Sequence, residues 1–234
     1  MLTPSSNTTL EPLTTAMIRG IPEASAHFAR FRVTEIALSE NALAQFDPTP
    51  ILDAATLLSH AKVHTIGWSG TSASWLGFDA DRSLCDRITA TTGIPATTSV
   101  LALNEMLLRT GVRRLGLVTP YTDDVQQRII ANYAGLGITC PAERHLSIRD
   151  NYAFAEVPAA TLMDMIRGVA AEKPDAIAVV CTNLAAAPLV HALEAETGVA
   201  ILDSIATVVW KSLALTGADP TRITGWGRLF ATGG

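Results

Sequence analysis

Ala176-Ile177-Ala178-Val179-Val180-Cys181-Thr182-Asn183 is an apolar run that stops abruptly at a cysteine and two small polar residues. An unbroken apolar run of this length reads as a strand buried on both faces. Residues 184–196 behind it read as a helix, so the segment is one β–α unit of a parallel sheet. The same pattern recurs upstream. Val63-His64-Thr65-Ile66-Gly67-Trp68 and Leu115-Gly116-Leu117-Val118-Thr119 read as strands, with weaker strands at 31–33, 95–98 and 200–202. Helical stretches cover 50–62, 123–135 and 159–172. This alternation predicts an α/β fold with parallel sheets and helices on both faces.

The chain also repeats itself. Thr92-Gly93-Ile94-Pro95 runs on to Ser99 and an apolar helix ending at Thr110-Gly111. Thr197-Gly198-Val199-Ala200 runs on to Ser204 and a second such helix ending at Thr216-Gly217. Gly93 and Gly198 are 105 residues apart, and the strand ends at Gly70 and Cys181 are 111 apart. A period this long implies duplicated half-domains, not a solenoid. The expected division is 1–98 plus 206–234 for an N-terminal half and 99–205 for a C-terminal half.

Composition narrows the function classes. Of 234 residues 17% are charged, below the usual ~25%, which argues against extended disorder. The 17 basic and 22 acidic residues form no basic cluster, so neither nucleic acid nor an anionic membrane is an expected partner. Cys85, Cys140 and Cys181 are too few and too scattered for a disulfide framework, which suits a reducing, cytoplasmic setting. The start of the chain lacks the basic and apolar regions of a signal peptide. His27, His60, His64, His145 and His191 show no metal-ligand spacing, so no metal is expected. Gly225-Trp226-Gly227 lacks the strand–turn–helix setting of a dinucleotide fingerprint.

In open parallel sheets ligands bind beyond the carboxyl ends of the strands. Gly70-Thr71-Ser72, Tyr121-Thr122, Cys181-Thr182-Asn183 and Pro4-Ser5-Ser6-Asn7-Thr8-Thr9 all fall at such ends. They are small or hydroxylic and carry no cation. Singly, each reads as a helix cap. Four together, around one cysteine, read as an anion site built from hydroxyls and backbone N–H groups. Cys181 is the one residue among them suited to proton transfer or covalent chemistry. Placed directly before a helix, it is expected to feel the dipole and reach the thiolate more easily. Cys85, on a helical face, and Cys140, expected in a loop before Pro141, read as structural.

These residues resemble a known family. Pro4 to Thr9, Gly70-Thr71-Ser72-Ala73-Ser74, Thr119-Pro120-Tyr121-Thr122-Asp123-Asp124-Val125, Cys181 and Gly225-Trp226-Gly227-Arg228-Leu229-Phe230 look like the Asp/Glu racemase superfamily. Its arylmalonate decarboxylase and maleate cis-trans isomerase branches are the ones resembled. The resemblance implies two pseudo-symmetric flavodoxin-like halves with the active site between them. It also implies chemistry beside a carboxylate without cofactor or metal, on a small-molecule carboxylate or dicarboxylate. Homo-oligomers are compatible with it. Only Met1, Leu2 and Thr3 precede Pro4, where the family has a complete strand; either the first strand is truncated or the natural start lies upstream.

The informative departure is Gly70. Racemases and maleate isomerases of the superfamily carry a cysteine at each of two symmetry-related strand ends, and here only Cys181 remains. One thiol can protonate only one face of a carbon. That pattern resembles arylmalonate decarboxylase, whose dioxyanion-hole tyrosine matches Tyr121. The implied hole comprises Gly70, Thr71, Ser72, Tyr121 and Thr182, with Trp75 and Leu76 as candidates for an apolar pocket. Asn7 and Asn151 match substrate-binding asparagines of the isomerase branch, where they would hold a second carboxylate or polar substituent. Gly70→Cys is expected to restore the opposed thiol and introduce racemase activity. The competing readings are a maleate isomerase or racemase using Cys181 alone, a serine hydrolase with Ser72 in an elbow, and a non-catalytic sensor of small acids. The elbow lacks its final glycine, which is Ser74, and has no evident histidine partner.

Overall fold

The computed structural model describes residues 1–36, 38 and 48–231; the other positions lie outside the described residues. In chain order the elements are β1 (Leu2–Pro4), α1 (Leu10–Met17), β2 (Ala29–Phe31), α2 (Pro48–His60), β3 (Ile66–Trp68), α3 (Ala73–Leu76) and α4 (Phe78–Thr92). There follow β4 (Ala96–Thr98), α5 (Ser99–Arg109), β5 (Arg114–Thr119), α6 (Asp123–Gly135), β6 (Thr139–His145) and α7 (Ala159–Ala170). The chain closes with β7 (Ala176–Val179), α8 (Ala187–Thr197), β8 (Ala200–Asp203) and α9 (Ser204–Leu215), besides short 3-10 turns.

The strands form two four-stranded parallel sheets, ordered β2-β1-β3-β4 and β6-β5-β7-β8. The order is the same twice, the flavodoxin-like 2-1-3-4 arrangement. In each sheet the direction of winding reverses between the first and third strands in sequence, at β1/β3 and at β5/β7. Crevices open there because neighbouring crossover helices go to opposite faces. β7 is buried along its whole length, registered on β5 from Leu115↔Ala176 to Val118↔Val179 and on β8 from Ala176↔Ala200 to Val179↔Asp203. Its apolar run is thus the signature of a central strand.

The repeat has a physical basis. Gly93 and Gly198 end α4 and α8 in the left-handed region, at φ of 70° and 75°, where a side chain would be strained. A strand follows each, and then a capped helix. Thr98 accepts from the Leu101 N–H at 3.0 Å, while Asp203 accepts from Ile205 and Ala206 at 2.8 and 3.1 Å. The two capped helices, α5 and α9, pack on each other, and the Thr207 hydroxyl donates to the Ser99 carbonyl at 3.0 Å.

Several expected bounds shift. β2 lies two residues earlier than read, because Ala29, Arg30 and Phe31 are the residues that meet Leu2, Thr3 and Pro4. β3 starts at Ile66, not Val63. β1 is only three residues long yet pairs with both β2 and β3. Cys140 lies within β6, not in a loop; Pro141 and the exposed, charged pattern of this edge strand hid it. α8 starts at Ala187, not Leu184, because residues 182–186 form a turn and Pro188 suits a first helical turn. No helix among the described residues is long and apolar enough to cross a membrane. A cavity of about 550 Å³ is lined by residues that precede β2 and β3, including His27 and His64, and none of the expected site residues borders it.

Asp81 is a buried carboxylate on α4, 2% exposed, that accepts from the Thr98 hydroxyl. Burial raises its pKa to about 7, only partly offset by that hydrogen bond. The folded chain therefore keeps a proton that the unfolded chain releases near pH 4. The resulting stabilisation is full below pH 4 and is lost as pH rises toward 7. Melting curves at pH 5 and pH 8 should show a larger fall in Tm for the parent chain than for Asp81→Asn. Equal falls would assign the proton elsewhere.

Candidate active site

The four polar strand ends come together because they follow β1, β3, β5 and β7, the strands that flank the two switch points. Gly70, Thr71, Ser72, Tyr121, Asn151, Cys181 and Thr182 all line one cavity of about 20 Å³, room for about one water. Its remaining wall is Pro4, Val33, Ile36, Trp68 and Trp75. Cys85 and Cys140 do not border it.

Cys181 is 2% exposed, yet its sulfur is not isolated in hydrocarbon. The Asn183 N–H donates to Cys181 Sγ at 3.3 Å, and the Tyr121 hydroxyl lies near enough to favour the thiolate form. Tyr121 Oη and Thr71 Oγ1 lie 2.7 Å apart, so a hydroxyl pair stands beside the sulfur. Trp75 and Phe154 hold the phenol ring edge-on at centroid distances of 5.0 and 5.7 Å. Burial pushes the Cys181 thiol up to about 12, against the opposing Asn183 and Tyr121 hydrogen bonds. The expectation of an easily formed thiolate is corrected. With α8 starting at Ala187 the sulfur is not at a helix N-terminus, and desolvation prevails. Near neutral pH the group is a protonated thiol. Burial also raises Cys85 and Cys140 to about 12, so position, not acidity, singles out Cys181.

Asn7, expected to bind substrate, is held by other partners in this structure. Its amide donates to the Thr182 carbonyl at 3.0 Å and to Thr182 Oγ1 at 3.2 Å, while its oxygen accepts from the Thr9 and Leu10 N–H groups. It starts α1 and clamps Thr182, and it does not line the cavity. Thr182 donates onward to the Ser69 carbonyl at 3.1 Å. Asn151 does line the cavity and donates to Ser6 Oγ at 2.7 Å. Of the apolar-pocket candidates Trp75 is in the wall, whereas Leu76 is 41% exposed and outside it. Among the described residues no histidine lines the cavity that Ser72 borders, so the elbow reading finds no base there. The terminal Gly225–Phe230 motif is structural at Arg228, whose N–H and guanidinium hold Glu194 and the Gly198 carbonyl at the end of α8.

Two residues escaped the sequence reading. Asn183 joins the segments, accepting from the Thr8 N–H at 3.0 Å and donating to the Asn151 carbonyl at 2.5 Å. An asparagine after a strand reads as a cap, and nothing local shows that it bridges distant loops. Trp68 is the other. A Cβ placed on Gly70 would collide with Cε2, Cζ2 and Cη2 of the Trp68 ring. The space expected for an opposed thiol is already filled, so Gly70→Cys alone cannot install one without displacing the indole. The signal available was the spacing: Trp68 ends β3 and Gly70 follows only two residues later.

Two matching sheets, with donors from both meeting at their switch points, define an α/β enzyme of the two-half type. The chain belongs to the arylmalonate decarboxylase family, whose model matches residues 18–230. Arylmalonate decarboxylase from Bordetella bronchiseptica is 32% identical over 183 residues, covering 77% of this chain and 76% of the relative. Maleate isomerase from Nocardia farcinica is 27% identical over 239 residues, covering 98% and 93%. The crystal structure of a maleate isomerase from Pseudomonas putida S16 superposes with a TM-score of 0.89 at 26% identity, covering 98% of this chain and 96% of that one. Likeness runs to a decarboxylase and to isomerases alike, so the reaction has to be argued from the site.

Proposed function

We propose that this enzyme decarboxylates a 2-substituted malonate without metal or cofactor. Binding has to widen the cavity beyond its room for about one water; the retained carboxylate then sits against the Thr71, Ser72 and Tyr121 hydroxyls and the backbone around Gly70 and Thr182. The departing carboxylate faces the apolar wall of Val33, Ile36 and Trp75, where charge is poorly solvated and release as neutral CO₂ is favoured. Breaking the carbon–carboxylate bond leaves its electron pair on the α-carbon, delocalised as an enediolate over the retained carboxylate. The hydroxyl donors then face more negative charge than in the ground state, which lowers the barrier. Cys181 gives its proton to the α-carbon, and the thiolate left behind is held by the Asn183 N–H and the Tyr121 hydroxyl until water reprotonates it.

The observation that carries this proposal is a single cavity-lining thiol opposite a glycine covered by an indole. An isomerase acting on maleate needs a nucleophile that adds to the double bond and frees it to rotate. The overall likeness to maleate isomerase favours that second reading, but a buried, protonated thiol suits an acid better than a nucleophile. The test is a screen of alkyl-, aryl- and hydroxymalonates for CO₂ release with chelator present, beside maleate assayed for fumarate. CO₂ from a malonate is expected. Fumarate from maleate with no CO₂ from any malonate would assign the isomerase. Ligand-induced stabilisation by small acids without any product would assign a sensor.

A further inference from the structure

Cys181 and Gly70 occupy equivalent positions at the ends of β7 and β3, but the residues two places earlier differ. Before Cys181 stands Val179, and before Gly70 stands Trp68. Each of these residues ends its strand, and the paired position follows two residues later, beyond the strand. Val179 leaves room for a thiol. Trp68 does not: its ring takes the volume of a Cβ on Gly70. The indole is 1% exposed and packs against Phe31, at a centroid distance of 5.0 Å and an interplanar angle of 49°. Both Trp68 and Gly70 border the cavity that holds Cys181.

We propose that Trp68, folded over Gly70, closes the second face of the reacting carbon and so determines that the proton arrives only from Cys181. This rests on the decarboxylase proposal for its chemistry, but its steric part does not. Gly70 is then a consequence of Trp68, since no other residue fits beneath the ring. The missing thiol is a coupled two-residue change, and product handedness depends on the volume that the indole fills. Removing the indole would admit water, a second proton source, to the far face.

The experiment compares the parent chain with Trp68→Val, which copies Val179, Trp68→Phe, Gly70→Cys and the double variant Trp68→Val/Gly70→Cys. With a prochiral malonate, the parent and Trp68→Phe should give one product enantiomer, and Trp68→Val a product of lower optical purity. The double variant should exchange the α-proton of either enantiomer in D₂O. Gly70→Cys should melt below the parent, and adding Trp68→Val should recover part of that loss. Unchanged optical purity in a folded Trp68→Val, or a Gly70→Cys as stable as the parent, would overturn the proposal. The melting comparison needs no turnover, so it still reads the Trp68–Gly70 coupling if no malonate is decarboxylated.

Discussion

Cys181→Ala is expected to lower the rate of product formation by about 10²–10⁴-fold, the range removed with a positioned general acid. The effect follows from placement. All three thiols are held protonated by burial, so a chemistry that merely needed a protonated thiol somewhere would not distinguish them. Only Cys181 borders the cavity and lies beside the Tyr121–Thr71 hydroxyl pair. Cys85→Ala and Cys140→Ala should therefore keep parental rates. Cys181→Ser keeps a hydroxyl of much lower acidity and should fall between alanine and the parent. The measurement is initial rate at saturating substrate for each variant, with melting curves to confirm folding. Equal rates in all three alanine variants would remove Cys181 from the reaction.

Tyr121→Phe should cost about 10²–10³-fold in kcat, the effect of losing one donor to a developing oxyanion. The ring is clamped between Trp75 and Phe154, so phenylalanine keeps the packing and deletes only the hydroxyl. That hydroxyl has two duties. It lies 2.7 Å from Thr71 Oγ1, and it stands near the sulfur, where it favours the thiolate formed after proton transfer. Both interactions strengthen as charge develops, so the loss should appear in kcat more than in KM. A variant with raised KM and unchanged kcat would make Tyr121 a substrate-binding group only.

Much of the architecture was legible because its signals are local. β7 announces itself by an apolar run, and α6 by an apolar stripe behind Asp123 and Asp124, which complement the dipole of its first turn. The duplication shows through Gly93 and Gly198, since glycine takes up a left-handed helix end without strain. Gly70, Thr71, Ser72, Tyr121, Cys181 and Thr182 in the cavity wall were found by the rule that strand ends at a switch point meet. What was missed has a common cause. β6 is an edge strand whose composition follows solvent, so it carries no apolar run. Asn7 and Asn183 look alike in the sequence, as polar residues near helix starts. Only their partners across more than 170 positions of chain show that the first clamps Thr182 and the second ties loops together.

Taken alone, the order of residues determined two like α/β halves, the strand ends that meet at the cavity, and one thiol where the repeat has two equivalent positions. The acidity of that thiol and the state of the opposite face were decided by tertiary structure. Burial sets the first, through the loss of water around the sulfur. The second is set by an indole lying in the space above Gly70. Neither solvation nor occupied volume is a property of spacing along a chain; both arise when separate segments pack.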